Sequence, residues 1–225
     1  MHVKTNLLKN KKVIRMKVIL VNGSSHRKGC TYTALEEVAK TLEAQCIDTE
    51  IFQIGSKPIS GCLACFNCRE LGRCALSDRV NDFLEIAKDA DGFVFGSPVH
   101  YAAAGGAITS FMDRVFLADM NTGRQSFYLK PAAAVVSARR AGTTATFDQL
   151  NKYFTISEMP IISSQYWNMV HGLVPEDVKK DLEGLQIMRT LGKNMAWFLK
   201  CKEAGIKAGI ALPEKEAHIS TNFIR

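Results

Sequence analysis

Lys17-Val-Ile-Leu-Val-Asn22, running straight into Gly23-Ser-Ser-His-Arg-Lys-Gly-Cys-Thr31, is the stretch on which the reading of the fold turns. A short apolar run of strand length opens onto turn-forming residues, Gly23 to Gly29. A helix is expected directly after it, because Leu35, Val38, Ala39 and Leu42 fall at i, i+3, i+4 and i+7. Thr33 with Glu36 has the form of a capping box for that helix.

The same alternation continues outward. Asp48 to Gln53 reads as a second strand, and Val80, Phe83, Leu84 and Ala87 mark a helix behind Ser77 and Asp78 as candidate caps. Gly92-Phe-Val-Phe-Gly96 is a third strand, followed by helical spacing at Ile108, Phe111, Met112, Val115 and Phe116. Ala132 to Ser137 is a fourth strand and Thr144 to Ser157 a helix. Pro160-Ile-Ile162 reads as a short fifth strand, and Pro175 at a first turn opens a long helix towards Ala204. Alternating strands and helices argue for a parallel sheet covered on both faces, since parallel neighbours need right-handed crossover helices. Ligands of such sheets sit at the carboxyl ends of the strands, near the topological switch point. The loops that leave the strands are therefore where chemistry is expected.

Three of those loops are candidates. Gly23 to Thr31 is neither G-x-G-x-x-G nor G-x-x-x-x-G-K-[ST], so neither phosphate-binding fingerprint is present. Its hydroxyls, basic side chains and amides feeding a helix N-terminus suit a single phosphate; an ordinary polar turn is the alternative. Gly96-Ser-Pro-Val-His-Tyr-Ala-Ala-Ala-Gly-Gly106 is rich in small residues and would let a planar ligand approach its amides beside His100 or Tyr101. Alternatively, Tyr101 packs on the next helix and His100 is merely solvated. Ser137-Ala-Arg-Arg-Ala-Gly-Thr143 offers glycine and paired arginines to an electron-rich ring edge, although paired arginines are commonly just surface charge.

Between the first two loops lie four of the seven cysteines, Cys62, Cys65, Cys68 and Cys74, spaced C-x2-C-x2-C-x5-C. A 4Fe–4S cluster would use all four thiolates. Zinc would satisfy the ligand count, but its usual ligand pairs stand further apart than this run allows. Reduced, partly buried thiols are the third reading. Cys46 and Cys201 read as isolated thiols.

The formal charge of +7 does not point to nucleic acid, because Lys4, Lys9, Lys11, Lys12 and Arg15 supply five of those charges. Residues 1–15 are read as a basic extension, 16–211 as one domain and 212–225 as a tail. The first fifteen residues lack the apolar core of a signal peptide and no stretch is long enough to span a membrane, so a cytoplasmic protein is expected. Clustered cysteines there read as metal or redox sites before disulfides.

Taken together, Gly23-Ser-x-x-x-x-Gly-Cys-Thr31, Gly96-Ser-Pro-Val and Asp113-Arg114 resemble the NAD(P)H-dependent FMN reductase and flavodoxin-like family, whose pattern is G-S-P-R-x-x-G-N-T, G-S-P-V-Y and D-R. With the cysteine quartet between them, the likeness is to the iron-sulfur flavoprotein branch. The resemblance implies an α/β flavodoxin-like three-layer sandwich with a five-stranded parallel sheet in the order 2-1-3-4-5. It implies that Ser24, His26, Cys30 and Thr31 hold the FMN phosphate. Pro98, Val99, His100 and Tyr101, with Ala138, Arg139 and Gly142, would frame the isoalloxazine. His26 stands where the pattern has Arg, Cys30 where it has Asn, and His100 where it has Tyr.

The activity so implied is an FMN-dependent oxidoreductase that takes hydride from NAD(P)H and reduces a small acceptor such as a quinone or flavin. The rival is an iron-sulfur flavoprotein carrying electrons between partner proteins. A homo-oligomer is expected, with Met188, Met195, Trp197 and Phe198 of the last helix read as its interface. Trp167 and His171 are read as residues able to reach a flavin across it.

Overall fold

The computed structural model describes residues 15–217, 219 and 221. The basic extension falls outside them except for Arg15, whose guanidinium lies 3.6 Å from Asp48. Strand β1 (Lys17–Asn22) pairs in parallel with β2 (Asp48–Gln53) on one side and with β3 (Gly92–His100) on the other. Beyond β3 lie β5 (Ala132–Ala138) and β6 (Met169–His171), both parallel. The two-residue β4 (Ala103–Ala104) folds back antiparallel on the end of β3. The order is β2-β1-β3-β5-β6 with β4 off the path. Among the described residues there are thus six strands where five were expected, and the five parallel ones keep the expected order. The switch point lies between β1 and β3, where the winding direction reverses.

The run from Val18 to Val21 is buried on both faces because successive strand side chains point opposite ways into two separate cores. Ile19 and Val21 join Phe93, Phe95, Ala134 and Val136 against α3 (Arg79–Ala87), α4 (Gly106–Thr122) and α5 (Thr143–Ile156). Val18 and Leu20 join Val94, Ala133 and Val135 against α1 (Cys30–Glu43) and α7 (Leu182–Lys207). The first core is aromatic: Phe83 lies 5.2–6.4 Å, centroid to centroid, from Phe52, Phe93, Phe95, Phe111 and Phe127.

Several sequence expectations need correction. Helix α1 begins at Cys30 behind Gly29, so Thr33 is already inside it. The Thr33 hydroxyl donates back to the Gly29 carbonyl instead of capping. Asp78 does cap α3, accepting from the Val80 amide at 3.1 Å. The edge strand is split. Pro160–Ile162 meets only the start of β5, with Ile162 N donating to Ala132 O. The chain then leaves the sheet and returns at Met169 to pair with Val136.

The long last helix is split too. Short α6 (Pro175–Val178) ends, and α7 restarts at Leu182 behind Asp181, whose carboxylate accepts from the amides of Gly184 and His171. Met188 and Met195 are fully buried in the second core, which removes them from any subunit interface; Trp197 alone of that set is well exposed. Tail residues beyond 211 touch the body through Lys215, which pairs with Glu158 at 2.8 Å. Among the described residues no helix is long and apolar enough to cross a membrane.

Gly96 is the close-packing point of α1 on β3. A Cβ there would stand 2.8 Å from both Thr31 Cγ2 and Leu35 Cδ1. Gly96→Ala should therefore lower the unfolding free energy by about 1–3 kcal/mol in a urea titration. An unchanged midpoint would mean that the α1 contact is looser than described.

Candidate functional site

The loop after β1 is shaped by two polar side chains that end adjacent strands in register, Asn22 and Gln53. Asn22 is fully buried. Its Nδ2 donates to Gln53 Oε1 at 2.6 Å and to the carbonyls of His26 and Arg27 at 3.3 and 3.4 Å, while its Oδ1 accepts from the Ser24 amide at 3.2 Å. Gln53 Nε2 then donates to the Ser24 carbonyl at 2.6 Å. Gly23 presses on β3, its amide donating to Gly96 O at 2.9 Å, and a Cβ there would lie 2.5 Å from that oxygen. The turn is thus rigid and held against the switch point.

This geometry aims the start of α1 outward. The helix has no side-chain cap bond and no acid in its first turn, so the amides of Cys30, Thr31 and Tyr32 lack intrahelical acceptors. Such an end carries partial positive charge; the exposed His26, Arg27 and Lys28 precede it in the loop, and the acids Asp177 and Glu176 lie close enough to act on Cys30. Ser24 Oγ accepts from the His26 amide at 3.1 Å, which leaves its own proton free.

The other two predicted phosphate side chains are engaged within the protein. Thr31 Oγ1 lies 2.8 Å from Ser137 Oγ, and Cys30 Sγ donates to Gly172 O at 3.6 Å. Burial, reinforced by Asp177 and Glu176, pushes the Cys30 thiol up, so it faces the loop as a neutral group. The backbone of residues 30 and 31, with Ser24, remains to meet an anion. That donor set fits a phosphate monoester.

The loops after β3 and β5 meet each other. Ser97 Oγ accepts the Gly105 amide at 3.2 Å and closes a hairpin in which Val99 and His100 pair with Ala104 and Ala103. Tyr101 turns the hairpin with a left-handed φ of 53° and a fully exposed ring, while the His100 imidazole lies over Gly105. Gly142 has φ +88°, and a Cβ there would be 2.9 Å from Val99 Cγ1. Val99 and Gly142 are thus in contact, Pro98 stands opposite Ser137 across β3 and β5, and of the next two residues Ala138 is buried and Arg139 exposed. Trp167 is exposed and packs on Tyr166, and His171 sits at the end of β6 with its amide on Asp181.

The four cysteines line a single cavity with Arg114, Leu117 and Ala118 of α4. Cys62 and Cys65 are exposed, Cys68 is buried at the start of α2 (Cys68–Leu71), and Cys74 is half-buried behind it. The segment between them is tightly wound, with left-handed φ of 50° at Ala64 and 56° at Phe66. All the cysteines are free thiols. Among the described residues no three metal-binding side chains are drawn together closely enough to hold an ion.

The donor set nonetheless fits an iron-sulfur cluster in kind and number. Four thiols share one cavity, and two of their sulfurs already accept N–H donors. Arg114 Nε and Nη2 lie 3.3 and 3.2 Å from Cys74 Sγ, and Asn121 Nδ2 lies 3.4 Å from Cys68 Sγ. Arg114 also forks onto Asp78 at 2.6 and 2.9 Å and donates to Ser60 O and Leu76 O. Asn81 holds the backbone of Cys74 through both its amide and its carbonyl, each at 3.0 Å.

The sequence profile of the NADPH-dependent FMN reductase family matches residues 16–173, which span β1 to the loop after β6 and include all three candidate loops and the cysteine run. The chain belongs to this family. It is 31% identical over 194 residues to an iron-sulfur flavoprotein of Methanocaldococcus jannaschii, covering 82% of this chain and 98% of that one. An iron-sulfur flavoprotein of Archaeoglobus fulgidus is 27% identical over 198 residues, covering 83% and 98%. Membership makes the chain an FMN-dependent oxidoreductase standing near the iron-sulfur flavoproteins. In fold it is similar to RosB, solved with 8-demethyl-8-formylriboflavin-5'-phosphate, with a TM-score of 0.65 at 15% identity over 93% of this chain and 94% of RosB. A flavodoxin from the domain Archaea superposes with a TM-score of 0.56 at 18% identity over 82% and 99%.

Asn22, Gln53, Asn81 and Asn121 were not singled out in the sequence. A polar residue closing an otherwise apolar strand, as Asn22 does, is the one signal that was there to read. Asn22→Ala should cost about 1–3 kcal/mol of unfolding free energy, because it strands Gln53 and two loop carbonyls without their donor. A chemical denaturation curve overlying the parent's would contradict the role given to that side chain.

Proposed function

We propose that the chain is an NAD(P)H-dependent reductase of small acceptors, a quinone or flavin among them, with FMN at the carboxyl edge of the sheet and a 4Fe–4S cluster on Cys62, Cys65, Cys68 and Cys74. The observation that carries the proposal is the first turn of α1, without a side-chain cap or an acid of its own, held at the switch point behind a loop that carries His26, Arg27 and Lys28. The ligand solved in RosB is a flavin monophosphate derivative, and RosB shares this fold, which supports the same type of guest here.

Ser24 Oγ and the amides of Cys30 and Thr31 would bind the phosphate, with His26 at the rim. The wall from Pro98 to Val99 and across to Gly142 would seat the ring, flanked by His100 and Tyr101. Arg139 would place positive charge near its electron-rich edge. Bound FMN supplies hydride acceptance and donation at its N5, so the protein needs no dedicated acid–base pair. Nicotinamide and acceptor would enter in turn past the exposed Tyr101, and a separate nicotinamide fingerprint is not required. The cysteine segment leaves β2 at this same edge, and Ser110 of α4's first turns lies within 4.0 Å of where a Cβ on Gly61 would stand. A cluster held by Cys62, Cys65, Cys68 and Cys74 would supply one-electron transfer, through which the two electrons of a hydride could be passed on singly.

Ser24→Asp should abolish FMN retention by charge repulsion and bulk, read as loss of flavin absorbance after desalting. Stoichiometric FMN in that variant would place the phosphate elsewhere. The parent protein should oxidise NADPH or NADH with ferricyanide or a quinone in steady state. Reduction by a ferredoxin alone, with no pyridine-nucleotide turnover, would replace the reductase by a carrier between proteins.

A further inference from the structure

Arg114 is the largest fully buried side chain among the described residues, and its guanidinium is spent on the cysteine segment. Two of its N–H groups point at the sulfur of Cys74, and the Asn121 amide points at that of Cys68. Among the described residues no N–H donor reaches the sulfurs of Cys62 or Cys65. The quartet therefore has one half, Cys68 and Cys74, hydrogen-bonded to donors of α4, and an exposed half, Cys62 and Cys65, on the preceding loop.

Resting on the cluster reading above, we infer that Arg114 and Asn121 are positioning residues that raise the reduction potential of the cluster by donating to the sulfurs of Cys74 and Cys68. Reduction adds one electron, from the 2+ to the 1+ state of the core, and the added negative charge is shared with the thiolate sulfurs. Donors aimed at those sulfurs stabilise the reduced state more than the oxidised one, and they do so strongly where water is excluded. The Arg114 side chain is 1% exposed, which meets that condition. Its charge is largely matched by the forked bond to Asp78, so the effect belongs to directed N–H groups more than to a bare cation. Asn121 is itself oriented by Arg69, whose Nε donates to its Oδ1 at 3.1 Å, leaving the amide N–H groups for the sulfur.

The test is a potentiometric titration of the anaerobically purified, FMN-loaded protein with dithionite, following the reduced cluster by electron paramagnetic resonance, with iron and flavin measured in every sample. Arg114→Lys keeps the charge but not the fork, and Asn121→Ala removes the second donor from a half-buried site that tolerates truncation. Arg114→Lys should raise the oxidised-to-reduced ratio at the parent's midpoint about tenfold, which for one electron is about 59 mV towards negative potential. Asn121→Ala should give a smaller shift of the same sign.

Arg73→Gln is the control. Arg73 is exposed beside Cys74 and makes no hydrogen bond to a sulfur among the described residues, so its removal should leave the midpoint in place. If Arg114→Lys does not load iron, Asn121→Ala carries the test alone. A loaded parent whose midpoint is unmoved by Asn121→Ala and by any loaded Arg114→Lys overturns this inference and leaves the cluster standing. A shift in Arg73→Gln as large as in the donor variants overturns it as well. A parent that binds no iron overturns the cluster reading and this inference with it.

Discussion

Polar side chains stand near the carboxyl ends of four parallel strands of this sheet, and those groups have to satisfy one another. Asn22 ends β1, Gln53 ends β2, Ser97 lies near the end of β3 and Ser137 near the end of β5. Asn22 pairs with Gln53, Ser137 with Thr31 of α1, and Ser97 with the Gly105 amide. A buried polar group left without a partner costs on the order of 1–3 kcal/mol, so these pairings are constraints on the loops as much as contacts within the sheet. They fix the turn into α1, the hairpin after β3 and the contact of α1 with β5. The candidate flavin site is the surface left over once the strand ends are satisfied.

The cysteine segment is held by a second constraint, and it is independent of the first. It leaves the sheet after β2, and its winding is anchored from outside by α4 through Arg114 and by α3 through Asp78 and Asn81. The Asp113-Arg114 pair of the sequence pattern thus has two separate structural uses. Asp113 accepts from the Tyr153 hydroxyl at 2.5 Å and ties α4 to α5, whereas Arg114 turns inward to the cysteines. Burial and the neighbouring Asp113 push the Tyr153 phenol up, keeping it protonated and donating at any physiological pH.

Strand and helix order were legible because the apolar periodicities of β1, β3 and β5 are uninterrupted, and each of those strands is buried on both faces. What was misread involves side chains competing with backbone. Asp181 breaks the last helix by accepting from Gly184 and His171, a local bond that periodicity does not reveal. The edge strand was placed at its apolar first half, Pro160–Ile162, although its longer pairing resumes only at Met169 after an excursion pinned by Ser164 and Asn168. Glycine spacing marked three turns that do follow strands β1, β3 and β5, and within the first of them Thr31 and Cys30 have internal partners for their side chains. The four cysteines share a cavity as their spacing suggested, while the donors to their sulfurs come from residues forty and more positions away, beyond the reach of any local pattern.

A crystal structure of the protein grown with FMN tests the account most directly. The account predicts the phosphate within hydrogen-bonding distance of Ser24 Oγ and of the Cys30 and Thr31 amides, and the ring against the Val99–Gly142 wall. FMN seated elsewhere, or the turn from Gly23 to Thr31 unchanged and unvisited at saturating FMN, would contradict it.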